Sequence, residues 1–244
     1  MMHMTLVKFI TVHARYWLGA YPSIILPLLS LKEKNRHRLV RADSHIVIEG
    51  FPRSGNTFAV AAFTFSQTDA LHIATHLHLS AQVIKAVQLK VPTLLLIRNP
   101  KDAVSSLVIR DPHISILHGL KYYIKFYSAL LPFRHSLLTA TFEEATTDFG
   151  QVVTRLNRKF NTSFIPFDHQ AENVRKVFDD LDSRDQRDTG KKHVTETHVA
   201  RPSQEREKKK RAIIEQLNDD IVCRWLKKAE QLYSDFLDES SSQS

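Results

Sequence analysis

The chain has 244 residues, 25% charged and 43% hydrophobic, and carries 34 Lys and Arg against 26 Asp and Glu, a formal net charge of +8. This length buries one substantial core, and this composition excludes a disordered, collagenous or multi-span membrane protein. The single cysteine, Cys223, excludes an intrachain disulfide and a cysteine-based metal site.

In chain order, residues 1–40 read as an N-terminal helical or apolar extension. Its uncharged run, Tyr16 to Leu31, contains Pro22 and Pro27 and falls short of the ~20 residues a spanning helix needs. It also lacks the small-residue cleavage site of a signal peptide. A helical appendage packed on the domain or on a homodimer partner is expected. Peripheral membrane contact is the alternative, because Lys8, Arg15, Lys32, Lys34 and Arg36 flank the run. A cytoplasmic location is expected, with membrane association as its variant.

Residues 41–237 read as one α/β domain. Four short apolar runs predict strands: Ile46–Ile48, Leu71–Ala74, Thr93–Ile97 and Leu137–Phe142. The third is apolar without alternation, as in a parallel strand covered on both faces. Leu117, Leu120, Ile124, Tyr127 and Leu131 form one helical stripe, and Ile214, Leu217, Ile221, Trp225, Ala229, Leu232 and Phe236 form another. Strands alternating with helices predict a P-loop-like three-layer domain with a short, mostly parallel central sheet. Residues 182–211 are polar and read as a solvated loop or a lid over an anionic ligand. A tail, 238–244, should be disordered. The one real basic cluster, Lys208-Lys209-Lys210-Arg211, has no interleaved aromatics, so no nucleic-acid partner is expected.

The chemistry concentrates at strand ends. Gly50-Phe51-Pro52-Arg53-Ser54-Gly55-Asn56-Thr57 lies between a strand and a helix start, where backbone N–H groups gather around phosphate. Its glycine spacing is that of a Walker A loop, but Asn56 stands where the lysine belongs and the cation has moved to Arg53. At the end of the third strand, where an NTPase offers a Mg²⁺-holding aspartate, stands Arg98. Asp102 opens the next helix as a cap or dipole partner, and Ser106 falls about two turns into it. Between these segments His72, His76 and His78 crowd seven residues, with no nearby carboxylate or cysteine to complete a metal site.

These residues resemble the PAPS-dependent sulfotransferase family. Phe51 to Thr57 looks like the family's 5′-phosphosulfate loop. Leu96 to Ser106 is similar to its 3′-phosphate motif, in which an arginine and a serine stand eight positions apart, as Arg98 and Ser106 do. Thr75-His76-Leu77 resembles the segment that carries the catalytic base of the cytosolic enzymes, and Phe142-Glu143-Glu144 resembles a Tyr-Glu-Asp element. The likeness spans roughly Ile46 to Phe160. Asn56 replaces a usual threonine or serine, keeping a donor amide. Arg53 replaces the cytosolic lysine, Ala74 replaces another, and the family's C-terminal Arg-Lys-Gly segment is absent, with Arg201-Pro202-Ser203 as its only stand-in.

The resemblance implies metal-independent transfer of a sulfuryl group from PAPS (3′-phosphoadenosine 5′-phosphosulfate) to a hydroxyl or amine of a small-molecule, carbohydrate or lipid acceptor. It assigns Pro52, Arg53, Ser54, Gly55, Asn56, Thr57, Arg98, Ser106, Arg201 and Ser203 to the donor. Arg53 and His76 become catalytic, with His78 as the alternative base. Glu143 and Glu144 read as helix-capping residues. A nucleotide or small-molecule kinase and a catalytically inactive PAP- or PAPS-binding protein are the competing readings.

Overall fold

Each of the four apolar runs forms a strand in the computed structural model, which describes residues 17–189, 213, 217 and 219–238. The strands are β1 (Ile46–Gly50), β2 (Ile73–Thr75), β3 (Thr93–Ile97) and β4 (Leu138–Thr141). The described helices are α1 (Pro22–Ser30), α2 (Glu33–Arg36), α3 (Asn56–Ser66), α4 (Ser80–Gln88), α5 (Pro100–Arg110), α6 (Ile116–Ser128), α7 (Phe142–Thr147), α8 (Phe149–Phe160), α9 (Ala171–Thr189) and α10 (Asp220–Leu237). The sheet runs β2-β1-β3-β4 with every pairing parallel, an α/β architecture with helices on both faces.

The period of two in a strand sorts the core into layers. Leu94 and Leu96 of β3 join Ile46, Ile48, Phe58, Phe63 and Phe149 on the face covered by α3, α8 and α9. Leu95 and Ile97 point the other way, into a core with Tyr123, Tyr127, Leu232 and Phe236 from α6 and α10. Both central strands are buried at every position, the signature of a parallel sheet covered twice. A third apolar cluster joins Ile25, Leu26, Leu39 and Val40 to Val47, Ala74 and Ala86, seating α1 and the segment after α2 against α4.

Element boundaries differ from expectation where local chemistry intervenes. β4 stops at Thr141, whose hydroxyl accepts from the Glu144 amide while the Glu144 carboxylate accepts from the Thr141 amide, so Phe142 starts a helix. Asn99, not Asp102, caps α5; its side chain accepts from the Lys101 amide, and Asp102 sits in the first turn. Residues 182–189, read as the start of a loop, continue α9. No Gly or Pro interrupts them, and i,i+4 pairs such as Asp180–Arg184 line the exposed face. Of the stripe from Ile214 to Phe236, the part from Ile221 onward lies in α10, which starts behind the Asp219 cap. Residues 190–212, with Arg201 and Ser203, and the tail residues 239–244 lie outside the described residues.

Candidate active site

β1 leads outward to β2 on one side, while β3 and β4 lie on the other, so the strand order reverses between the carboxyl ends of β1 and β3. Ligands of open parallel sheets settle in that crevice. Gly50 closes β1 there beside Leu96, and a Cβ at Gly50 would stand 2.3 Å from the Leu96 carbonyl oxygen, so only glycine fits. The chain then turns over Phe51, which is fully buried with ring centroids 5.1 Å from both Tyr122 and Tyr123. The Tyr127 hydroxyl donates to Leu96 O at 2.7 Å and accepts from the Phe51 amide at 3.3 Å, which ties the loop to β3. Burial pushes the Tyr127 phenol well above its usual range, so it remains a neutral donor.

The loop's own polar groups complete its shape. The Ser54 amide and the Asn56 side-chain amide both donate to Phe51 O, at 3.2 and 3.0 Å. Asn56, expected to offer its side-chain amide outward to a phosphate, thus spends that group on the loop itself, because it is the first residue of α3 and buried. Gly55 caps α3 at φ +90°, with the Phe142 ring where a Cβ would press at 3.2 Å. Pro52 is half-buried at the loop's shoulder, Ser54 is buried within it, and Thr57 is exposed in the first helical turn. The leading amides of α3 have no partner within their own helix, and its positive dipole end lies at this loop.

The predicted cations converge on this loop. Arg53, at φ +71°, donates from Nε to Ser106 Oγ at 3.0 Å. Arg98 donates to the Arg53 carbonyl at 3.0 Å, and its guanidinium lies 3.9 Å above the Phe142 ring. The Tyr123 hydroxyl holds the Arg98 carbonyl at 2.8 Å. Arg53, Arg98 and Ser106 therefore form one cluster, in which the serine bonds Arg53.

A second segment, the histidine turn after β2, faces the same helix end. Thr75 Oγ1 donates its only proton to Ile48 O at 2.7 Å, so the 3.2 Å contact with His76 Nδ1 makes that nitrogen the donor. Nε2 of His76 is left with its lone pair, 3.5 Å from Thr57 Oγ1. Burial first, then the charges of Arg38 and Arg110, lower the His76 pKa from 6.5 to about 4, so the ring is neutral at physiological pH. His78 uses Nδ1 on Gly50 O at 2.9 Å and accepts at its own carbonyl from Tyr122, which makes it part of the scaffold. His72 is turned to Ser44 and the His37 carbonyl. Among the described residues no group of three or more His, Cys, Asp or Glu is arranged to hold a metal ion.

The least anticipated participant is Glu49. Fully buried in β1, its carboxylate accepts from the Leu77 amide at 2.7 Å, the His78 amide at 3.1 Å and Gln82 Nε2 at 3.2 Å. His76 and His78 both hold positive φ, 59° and 52°, without being glycine. The two amide bonds from Leu77 and His78 hold the turn in that conformation, and Gln82 steadies the carboxylate. Burial raises the Glu49 pKa from 4.5 to about 7. An acid in an otherwise apolar strand, one residue before the loop, was the available signal.

No family model matches the sequence, and no curated protein matches it. Among solved structures, the chain is similar to mouse sulfotransferase SULT7A1 complexed with PAP (3′-phosphoadenosine 5′-phosphate), at 15% identity. The match covers 82% of this chain and 95% of that one, with a TM-score of 0.41, a level at which neither activity nor ligand transfers.

Proposed function

We propose that this chain is a sulfotransferase that moves a sulfuryl group from PAPS to an acceptor hydroxyl or amine without a metal. The supporting observation is the clustering of Arg53, Arg98 and Ser106 at the loop that leads into α3, with the unprotonated His76 Nε2 facing the first turn of that helix. This donor set fits a bisphosphate. PAPS would supply an activated sulfuryl group on a leaving phosphate. The amides of Gly55 to Thr57 and the Thr57 hydroxyl hold the 5′-phosphate, while Arg53 neutralises the charge that grows on the bridging oxygen. Arg98 and Ser106 take the 3′-phosphate, a role suited to a guanidinium seated 3.9 Å over the Phe142 ring. His76 Nε2 accepts the acceptor's proton as its oxygen or nitrogen bonds sulfur and the bond to the bridging oxygen breaks. Arg201 and Ser203 complete the 3′-phosphate site in this reading.

A second reading draws on His76. A base with a pKa of about 4 is a poor match to neutral pH, which favours a nucleotide-binding protein that performs no transfer. A kinase reading loses support from Arg98 at the position of a metal-holding acid. Thermal-shift measurements with PAP, PAPS, ATP and ATP–Mg²⁺ discriminate among them. PAP should stabilise most, and Arg98→Ala should abolish its effect. Greater stabilisation by ATP–Mg²⁺ sinks the donor assignment. Transfer of labelled sulfate that is lost in His76→Ala supports the enzyme; PAP binding with no transfer to any acceptor supports the binder.

A further inference from the structure

Five of the eight exposed large hydrophobic side chains among the described residues fall within residues 17–31: Trp17, Tyr21, Ile24, Leu28 and Leu31. From Tyr21 onward they recur at spacings of three, four and three, so they share one face of α1 and its two caps, bordered by Ile25 and opposite Leu26, which are buried in the cluster with α4. Such a contiguous exposed face marks an interaction surface.

We propose that this face docks on an anionic phospholipid bilayer, with α1 lying in the plane of the interface. Two observations select lipid over other occupants. The aromatics Trp17 and Tyr21 cluster at one end, the kind of side chain that settles at the headgroup boundary. At the other end Lys32, Lys34, Arg36 and Arg38 are all exposed, with Glu33 the one acid in the same stretch. In a symmetric contact a second copy would set this cationic stretch against its own equal, whereas an acidic headgroup layer supplies anions to it. α1 has nine residues with Pro27 inside it, and no described helix is long and apolar enough to cross a membrane, so the contact is superficial. The face also adjoins the histidine turn. Gly19 O accepts from the Ala81 amide at 2.7 Å and the Ser80 hydroxyl at 3.1 Å, and Gly19, Ala20, His78, Tyr122 and Lys125 line a shared recess. Docking would bring that recess close to the lipid headgroups.

The full chain is tested by co-sedimentation with vesicles of phosphatidylcholine, and with vesicles in which roughly a third of the lipid is phosphatidylserine. Binding about ten-fold stronger to the anionic vesicles is expected. Ile24→Glu with Leu28→Glu should remove binding to both. Lys32→Glu with Lys34→Glu should remove the anionic increment alone, and Ile165→Glu, exposed elsewhere, should change nothing. In a Trp225→Phe background, Trp17 emission should shift to the blue on binding. An unchanged melting temperature of each variant shows that the fold is intact. Failure of the wild-type chain to bind anionic vesicles overturns the proposal. So does a dimer that the Ile24→Glu/Leu28→Glu variant dissolves without any vesicle binding, which assigns the face to a second copy. PAP stabilisation is read separately, so the donor assignment stands or falls independently.

Discussion

The loop after β1 and the histidine turn after β2 face the same helix end but are built in opposite ways. Gly50 and Gly55 give the loop its two tight points, and the buried Asn56 folds back on Phe51 O. The turn has no glycine at all and still places two of its three residues at positive φ. Its geometry is imposed from outside, by a carboxylate two residues before the loop's first turn. One segment carries most of its shape in its own residues, with Tyr127 and Arg98 as outside ties; the other borrows it from a neighbouring strand. Segments of the first kind should fail by steric clash and segments of the second kind by loss of a partner.

The largest expected effect tests the loop. Gly50→Ala drives a methyl into Leu96 O and should cost on the order of 4 kcal/mol in chemical denaturation. A neutral result would mean that β1 and β3 can part without consequence. Next comes the turn: Glu49→Ala strands three donors and should cost about 3 kcal/mol, against about 1 kcal/mol for Glu49→Gln, which keeps an acceptor. Equal costs for the two variants would show that the carboxylate does not hold the turn.

The pH dependence of stability sharpens the same contrast. Glu49 titrates at about 7 when folded instead of 4.5, so its stabilisation is full below about 4.5 and lost as pH rises through 7. His76 titrates at about 4 instead of 6.5, so its contribution is present above about 6.5 and lost as pH falls through 4. Between 4.5 and 6.5 the two slopes oppose and nearly cancel. Glu49→Gln should unmask the His76 limb, with stability rising from pH 4 to 6.5. His76→Asn should unmask a fall between 4.5 and 7 on the order of 3 kcal/mol. Flat profiles in both variants would break the pairing. The smallest effect is that of Tyr127→Phe, about 1 kcal/mol, from the hydroxyl that ties the loop to β3.

Much of the fold was legible because the sheet is buried on both faces. Apolar runs such as Thr93–Ile97 match covered strands, and their alternation with helical stripes points to parallel order. The glycine spacing of Gly50 to Thr57 and the cations Arg53 and Arg98 were legible for a similar reason: each is a local departure from an apolar background. Local pattern misplaced the buried face of α6, where Tyr123 and Phe126 lie beneath the loop beside Leu120 and Tyr127. An amphipathic stripe defines a direction only to within about a residue, and the fit against Phe51 decides the rest.

Sequence alone determined the α/β class, the crevice-forming loop and the residue types gathered at the strand ends, because these depend on periodicity, glycine conformational freedom and charge. Tertiary structure alone decided which partner each polar group takes. Asn56 closes the loop, Ser106 bonds Arg53, Thr75 fixes the His76 tautomer, and Glu49 holds the histidine turn across 28 and 29 positions of chain. A hydrogen bond acts over about 3 Å, and only folding brings Ser106 within that reach of Arg53, or Leu77 and His78 within reach of Glu49.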